Sequence, residues 1–128
     1  MQIHQSAEDY LETILMLSQR MGKVRSIDVV NELGFTKASV SIAMKKLREN
    51  GYIAVDGEGN LTLLEPGLEI AQRIYSRHQL LTHFFVQLGV DEEVAAEDAC
   101  KAEHILSEQT LEKIREYALL HDAQDSVK

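Results

Sequence analysis

Apolar residues recur at helical spacing from Ser6 to about Met21, at Tyr10, Leu11, Ile14, Leu15 and Leu17. Ser6 is placed as the N-cap, with Glu8 and Asp9 in the first turn, and Gly22 stops this helix. Ser26 then caps a short helix whose buried side is expected at Ile27, Val30 and Leu33, with Gly34 at the C′ position. Thr36 caps a third helix from Lys37 to about Asn50, where Val40, Ala43, Met44 and Leu47 form the apolar stripe.

Two short helices around a tight Gly-containing turn make a helix-turn-helix pattern. Tyr52–Val55 and Leu61–Leu64 read as strands flanking the turn Asp56-Gly57-Glu58-Gly59-Asn60. A hairpin directly after the second helix is the wing of a winged helix. Pro66 opens a long helix marked by Ile70, Ile74, His78, Leu81, Phe85 and Leu88, which Gly89 breaks. Asp91 caps the next, carrying Val94, Ala95, Ala99, Ala102, Ile105 and Leu106, and its small residues would suit a tight dimer seam. Ser107 caps a last helix to about Leu120, leaving His121–Lys128 as a polar tail. The fold class expected is mostly α. An N-terminal winged helix-turn-helix (1–65) is followed by a helical dimerisation and metal-binding segment (66–128).

At 128 residues, 45% of them hydrophobic, the chain is long enough for one good core and too apolar for disorder. No leader-like N-terminus and no run of about 18 apolar residues occurs, so a cytoplasmic protein without membrane association is expected. One cysteine, Cys100, excludes an internal disulfide. The net charge of −8 argues against nucleic acid until its distribution is considered. All seven basic residues of 1–65 lie between Arg20 and Arg48, opposed there only by Asp28 and Glu32. That local excess fits either a DNA-reading patch or a solvated helix face. Within it, Thr36, Lys37, Ser39 and Ser41 are candidates for base or phosphate contacts, and Lys45, Lys46 and Arg48 for phosphate docking.

Cys100, Glu103 and His104 form a C-x-x-E-H cluster on one helix, where offsets of three and four put all three side chains on a single face. Cys, Glu and His all ligate metals, although a small buried Cys beside an exposed Glu-His pair has the same spacing. Asp9 and Glu12 share a face of the first helix, as ligands or as charges favoured by the helix dipole. His78 on its apolar stripe is either a core histidine or a ligand. Inward-facing groups on neighbouring helices can converge on a cation, which makes the joint pattern more telling than each part.

Ser-Ala-Glu-Asp-Tyr-Leu-Glu-Thr-Ile at the start, the winged helix, Arg77-His78 and Glu103-His104-Ile105-Leu106-Ser107 together resemble the diphtheria toxin repressor family over residues 6–120. That family includes iron-dependent repressors and shorter manganese transport regulators. The resemblance implies a homodimer that binds palindromic operators on double-stranded DNA when loaded with Mn²⁺ or Fe²⁺. It carries metal ligation to Asp9, Glu12, His78, Glu103 and His104. Cys100 stands where the manganese branch usually has a Glu and the iron branch a Cys. The iron branch's ancillary site lacks two residues, replaced by Thr82 and Ala96. A thiolate in the ligand set would soften the site toward Fe²⁺, Co²⁺ or Zn²⁺. Two rivals stand beside the repressor: a small metal-dependent hydrolase, for which no separate base or cleft is evident, and a winged-helix regulator sensing an organic ligand.

Overall fold

The computed structural model describes residues 5–126, with side chains placed for residues 6–123. Six helices and three short strands follow one another: α1 (Gln5–Met21), β1 (Val24–Arg25), α2 (Ser26–Leu33), α3 (Lys37–Glu49), β2 (Ile53–Val55), β3 (Asn60–Leu63), α4 (Glu65–Gln87), α5 (Glu92–Ala102) and α6 (Glu108–Ser126). Two compact units divide within α4, between Arg73 and Ile74.

The first unit is a winged helix. Its strands form an antiparallel sheet in the order β1-β3-β2, with Ile53 opposite Leu63 and Val24 opposite Leu61. Around it α1, α2 and α3 bury Leu11, Ile14, Val24, Val29, Val40 and Ile53. Tyr10 sets its ring edge-on to Phe35, 5.9 Å between centroids, and burial, reinforced by the charge of Asp9, pushes its hydroxyl pKa above the usual value.

The turn chemistry follows the local sequence. Thr36 accepts a hydrogen bond from the Ser39 N–H at 3.1 Å and caps α3. Gly34 ends α2 at φ +72°, a backbone region that side chains disfavour. In the wing, Asp56 Oδ1 accepts from the N–H groups of Glu58 and Asn60, both at 2.9 Å. Gly67, in the first turn of α4, admits no side chain: a Cβ there would stand 2.2 Å from the Tyr52 carbonyl oxygen.

Several expectations are corrected. Ser6 lies inside α1, which already includes Gln5. The N-cap of α2 is Arg25, whose N–H donates to Asp28 Oδ2 at 2.9 Å, and the buried residue of α2 is Val29, with Ile27 exposed. A third strand, β1, joins the hairpin, and Asn60 begins β3 instead of ending the turn. Leu88 lies just past the end of α4 and is exposed, and Ala71 joins the buried stripe of that helix.

The second unit packs α5 and α6 on the C-terminal part of α4, with Leu81, Ala99 and Leu111 at the centre and Phe85, Leu106 and Ile114 around them. Ala99 is thus packed inside the protomer, while Ala96 and Ala102 on the same helix are only partly buried. Ser107 caps α6, its Oγ accepting from the Thr110 N–H at 3.2 Å. The expected polar tail is instead helical through Ser126. Asp122 explains the extension, being held by His83 Nε2 at 3.0 Å and by Gln87 Nε2 at 2.7 Å. Among the described residues, no helix is long and apolar enough to cross a membrane.

Candidate metal centre and DNA-reading helix

The helix α5 ends one residue before Glu103, which occupies the C-cap with φ −59° and ψ −24°. Glu103 to Leu106 form the turn between α5 and α6. The expectation of one helical face carrying Cys100, Glu103 and His104 is corrected. Glu103, whose N–H still donates to the Ala99 carbonyl, continues the buried stripe of Ala95 and Ala99. Cys100 sits exposed on the last turns of α5, and His104 lies in the turn beyond. No glycine or proline marks that helix end, so an uninterrupted helix was the natural reading of the spacing.

Within the second unit the buried Glu103 carboxylate lies between two imidazoles. Its Oε2 is 3.0 Å from His78 Nδ1, and its Oε1 is 3.4 Å from His104 Nε2. The His104 side chain is almost as completely buried as that of Glu103, while the ring of His78 is one-fifth exposed. Glu103 Oε1 makes no hydrogen bond. A carboxylate removed from water is costly unless a positive charge or hydrogen bonds meet it, and Oε1 lacks the hydrogen bond. A divalent cation supplies that charge, and one oxygen donor with two imidazole nitrogens suits Mn²⁺ or Fe²⁺. The residues present fit such an ion.

Arg77, the neighbour of His78 on α4, holds the same turn from behind. Its Nη1 donates to the Glu103 carbonyl oxygen at 3.2 Å, and its Nη2 pairs with the Glu108 carboxylate at the start of α6. The segment bearing Glu103 and His104 is thereby fastened at both flanks. In the first unit, Asp9 is half-buried on α1 and Glu12, one turn on, is buried. A carboxylate buried beside the apolar side of α1 is more than a dipole-compensating surface charge.

The DNA-reading candidates all fall on α3 or its cap, and Thr36, Lys37, Ser39, Ser41, Lys45, Lys46 and Arg48 are all exposed. They are not equally available. Thr36 and Ser39 hydrogen-bond each other, Oγ1 to Oγ at 2.9 Å, in addition to the cap. Arg20, part of the basic stretch, pairs with Glu32 at 3.0 Å, which weakens the patch by one charge. Arg25, not among the sequence candidates, reaches across the sheet to the Glu58 carbonyl at the wing tip. Its position next to the wing becomes visible only once β1 is known.

Residues 2–61 match the N-terminal DNA-binding domain of the iron dependent repressors, and residues 64–120 match their metal binding and dimerisation domain. The chain belongs to the iron-dependent repressor family. Members of this family are transcriptional regulators and not enzymes, which removes the hydrolase reading. An uncharacterised helix-turn-helix transcriptional regulator of Methanocaldococcus jannaschii is 36% identical over 113 residues, 87% of this chain and 90% of that protein. The helix-turn-helix transcriptional regulator MntR of Bacillus subtilis is 32% identical over 123 residues, 96% of this chain and 87% of that protein. Among solved structures, a manganese-dependent transcriptional repressor in complex with manganese superposes with a TM-score of 0.79 at 28% identity, covering 88% of this chain. The chain spans about half the length of that structure and of the manganese regulator SloR, which matches with a TM-score of 0.76 at 25% identity.

Proposed function

We propose that this family member is a cytoplasmic homodimer that binds a palindromic operator when loaded with Mn²⁺ or Fe²⁺, repressing genes for metal uptake. Residues 1–65 serve as the DNA reader and 66–128 as the dimerisation and metal-binding segment. The observation that carries the metal half of this reading is the fully buried Glu103 carboxylate between His78 and His104.

The ligand set is His78, Glu103 and His104 with Asp9 and Glu12 of α1, the assignment that the family resemblance makes. Cys100, exposed three residues before Glu103, completes it as a softer donor or stands beside it. Without a cation, carboxylates brought together repel, and their joint ionisation is disfavoured. An ion that takes ligands from α1 and from the second unit couples metal occupancy to the DNA reader. A bias of about 1–3 kcal/mol toward the DNA-competent arrangement changes operator affinity several-fold to a hundredfold. The bound ion acts as a charge and a tether.

Two-fold symmetry sets two reading helices against half-sites about one helical turn apart, roughly 34 Å. The test is the electrophoretic mobility of promoter DNA with the protein in chelator, Mn²⁺ or Fe²⁺. Retardation only with metal, lost in Glu103→Gln and His104→Ala, is the expected outcome. Equal affinity in chelator and in saturating metal would sink the switch.

A further inference from the structure

Position 42 breaks the pattern of the reading helix. Val40, Met44 and Leu47 bury one side of α3, and Ala43 is half-buried beside them. At about 100° per residue, the opposite direction falls on Ala38, Ile42, Lys45 and Glu49. Ile42 is 58% exposed, with the hydroxyl of Ser41 and the ammonium groups of Lys45 and Lys46 nearby in sequence, all exposed.

A scattered exposed isoleucine needs no explanation. This one, however, lies opposite the buried stripe on the second helix of a helix-turn-helix, the side such a helix lays in the major groove. Two of the hydroxyls that could read base edges, Thr36 and Ser39, are engaged with each other in the cap. The exposed middle of the helix is therefore apolar at Ala38 and Ile42, flanked by Lys45 and Lys46, with the carboxylate of Glu49 at the far end of the helix. The apolar group that the major groove presents is the thymine C5-methyl, while the phosphates on either side attract lysines.

We infer that Ile42 is a specificity-determining residue that packs on a thymine methyl group in the operator. The inference rests on α3 being the DNA-reading helix. An isoleucine here also disfavours cytosine and adenine, whose major-groove edges present amino donors that it would leave unpaired.

The test begins with duplexes selected from a random library by the full-length, Mn²⁺-loaded protein. Affinity is then compared for the selected duplex and for versions with deoxyuridine replacing one thymidine at a time. That exchange removes the methyl and keeps the hydrogen-bonding edge. The wild type should lose about fourfold in affinity at one symmetry-related thymine pair per methyl lost, the value of one buried carbon. Ile42→Ala should bind both duplexes equally, with unchanged circular dichroism, and Ile42→Val should keep most of the preference. Indifference of the wild type to every thymine, or the same thymine preference in Ile42→Ala, overturns the inference. If no duplex is selected over random DNA, the reading role of α3 falls with it. If Ile42→Ala changes the dimer-to-tetramer ratio instead of thymine preference, the face belongs to another copy of the chain.

Discussion

His78 Nδ1 lies 3.0 Å from Glu103 Oε2, joining the middle of α4 to the turn that follows α5 around a carboxylate with no access to water. Replacing Glu103 by glutamine keeps the shape and removes the charge. Mn²⁺ affinity should fall by more than the roughly 10–100-fold that losing an outer partner of a ligand costs. The metal-free variant should be as stable as the wild type or more so, because an uncompensated buried charge has gone. Manganese electron paramagnetic resonance titration and denaturant unfolding in chelator check the two halves separately. A normal manganese affinity in Glu103→Gln would remove Glu103 from the ligand set.

Arg77 should matter to the same centre without being a ligand. Its guanidinium holds the Glu103 carbonyl and the Glu108 carboxylate at once, a geometry that a lysine ammonium does not reproduce. Arg77→Ala is expected to cost about 1–3 kcal/mol of stability and to weaken Mn²⁺ binding, and Arg77→Lys should recover part of each. Denaturant unfolding in chelator, with metal titration beside it, reads both effects. A variant with wild-type stability and wild-type metal affinity contradicts the fastening role.

Gly67→Ala should be severely destabilising. The added carbon would meet the Tyr52 carbonyl oxygen at 2.2 Å and the Leu11 side chain at 3.3 Å. Backbone on one side and core on the other leave nothing flexible to yield. The expected loss is about 3 kcal/mol, seen as a lower midpoint in urea. By contrast, Gly57→Ala meets nothing within 4 Å and should be near neutral.

The wing should be sensitive to acid. Hydrogen bonds from the Asn60 N–H and side-chain amide, then from the Glu58 N–H, hold the Asp56 carboxyl below its ordinary value, with the charge of Lys23 adding to them. A depressed carboxyl contributes stability that is present above its unfolded pKa near 3.8 and is lost as pH falls through the folded value. Amide resonances of Glu58 and Asn60 should therefore hold down to pH 3.8 and shift toward loop values only as pH falls below it. In Asp56→Ala they should show loop values at every pH. Unshifted amides at pH 2 in the wild type would contradict this.

Much of the fold was legible because the deciding signals are local. Thr36, Ser107 and Gly34 act at helix ends through their own side chains or lack of one, and the helical stripes of α1 and α3 need no partner to be seen. What escaped was decided at a distance. The strand β1 is two residues long and exists because Asn60 and Leu61 pair with it. The buried side of α2 turned from Ile27 to Val29 because the neighbours that cover it come from other parts of the unit. The end of α5 at Ala102 has no breaker, and it takes His104 off the helix that carries Cys100. The ligand candidates could be named from residue types and spacing, but the burial that singles out Glu103 belongs to the assembled core. Ile42 was hidden for the opposite reason: stripes are found by collecting apolar residues on one side, and an apolar residue on the other side is passed over as noise.

The run of α6 through Ser126, anchored at Asp122, has a practical consequence for anyone labelling this protein. A fluorophore attached at exposed position 123 sits beside the held Asp122, so it starts on a rigid lever. A bulky group there calls for a flexible linker to swing clear. A small dye attached without one should be a faithful reporter: its anisotropy would follow the tumbling of the whole molecule and rise when DNA is captured.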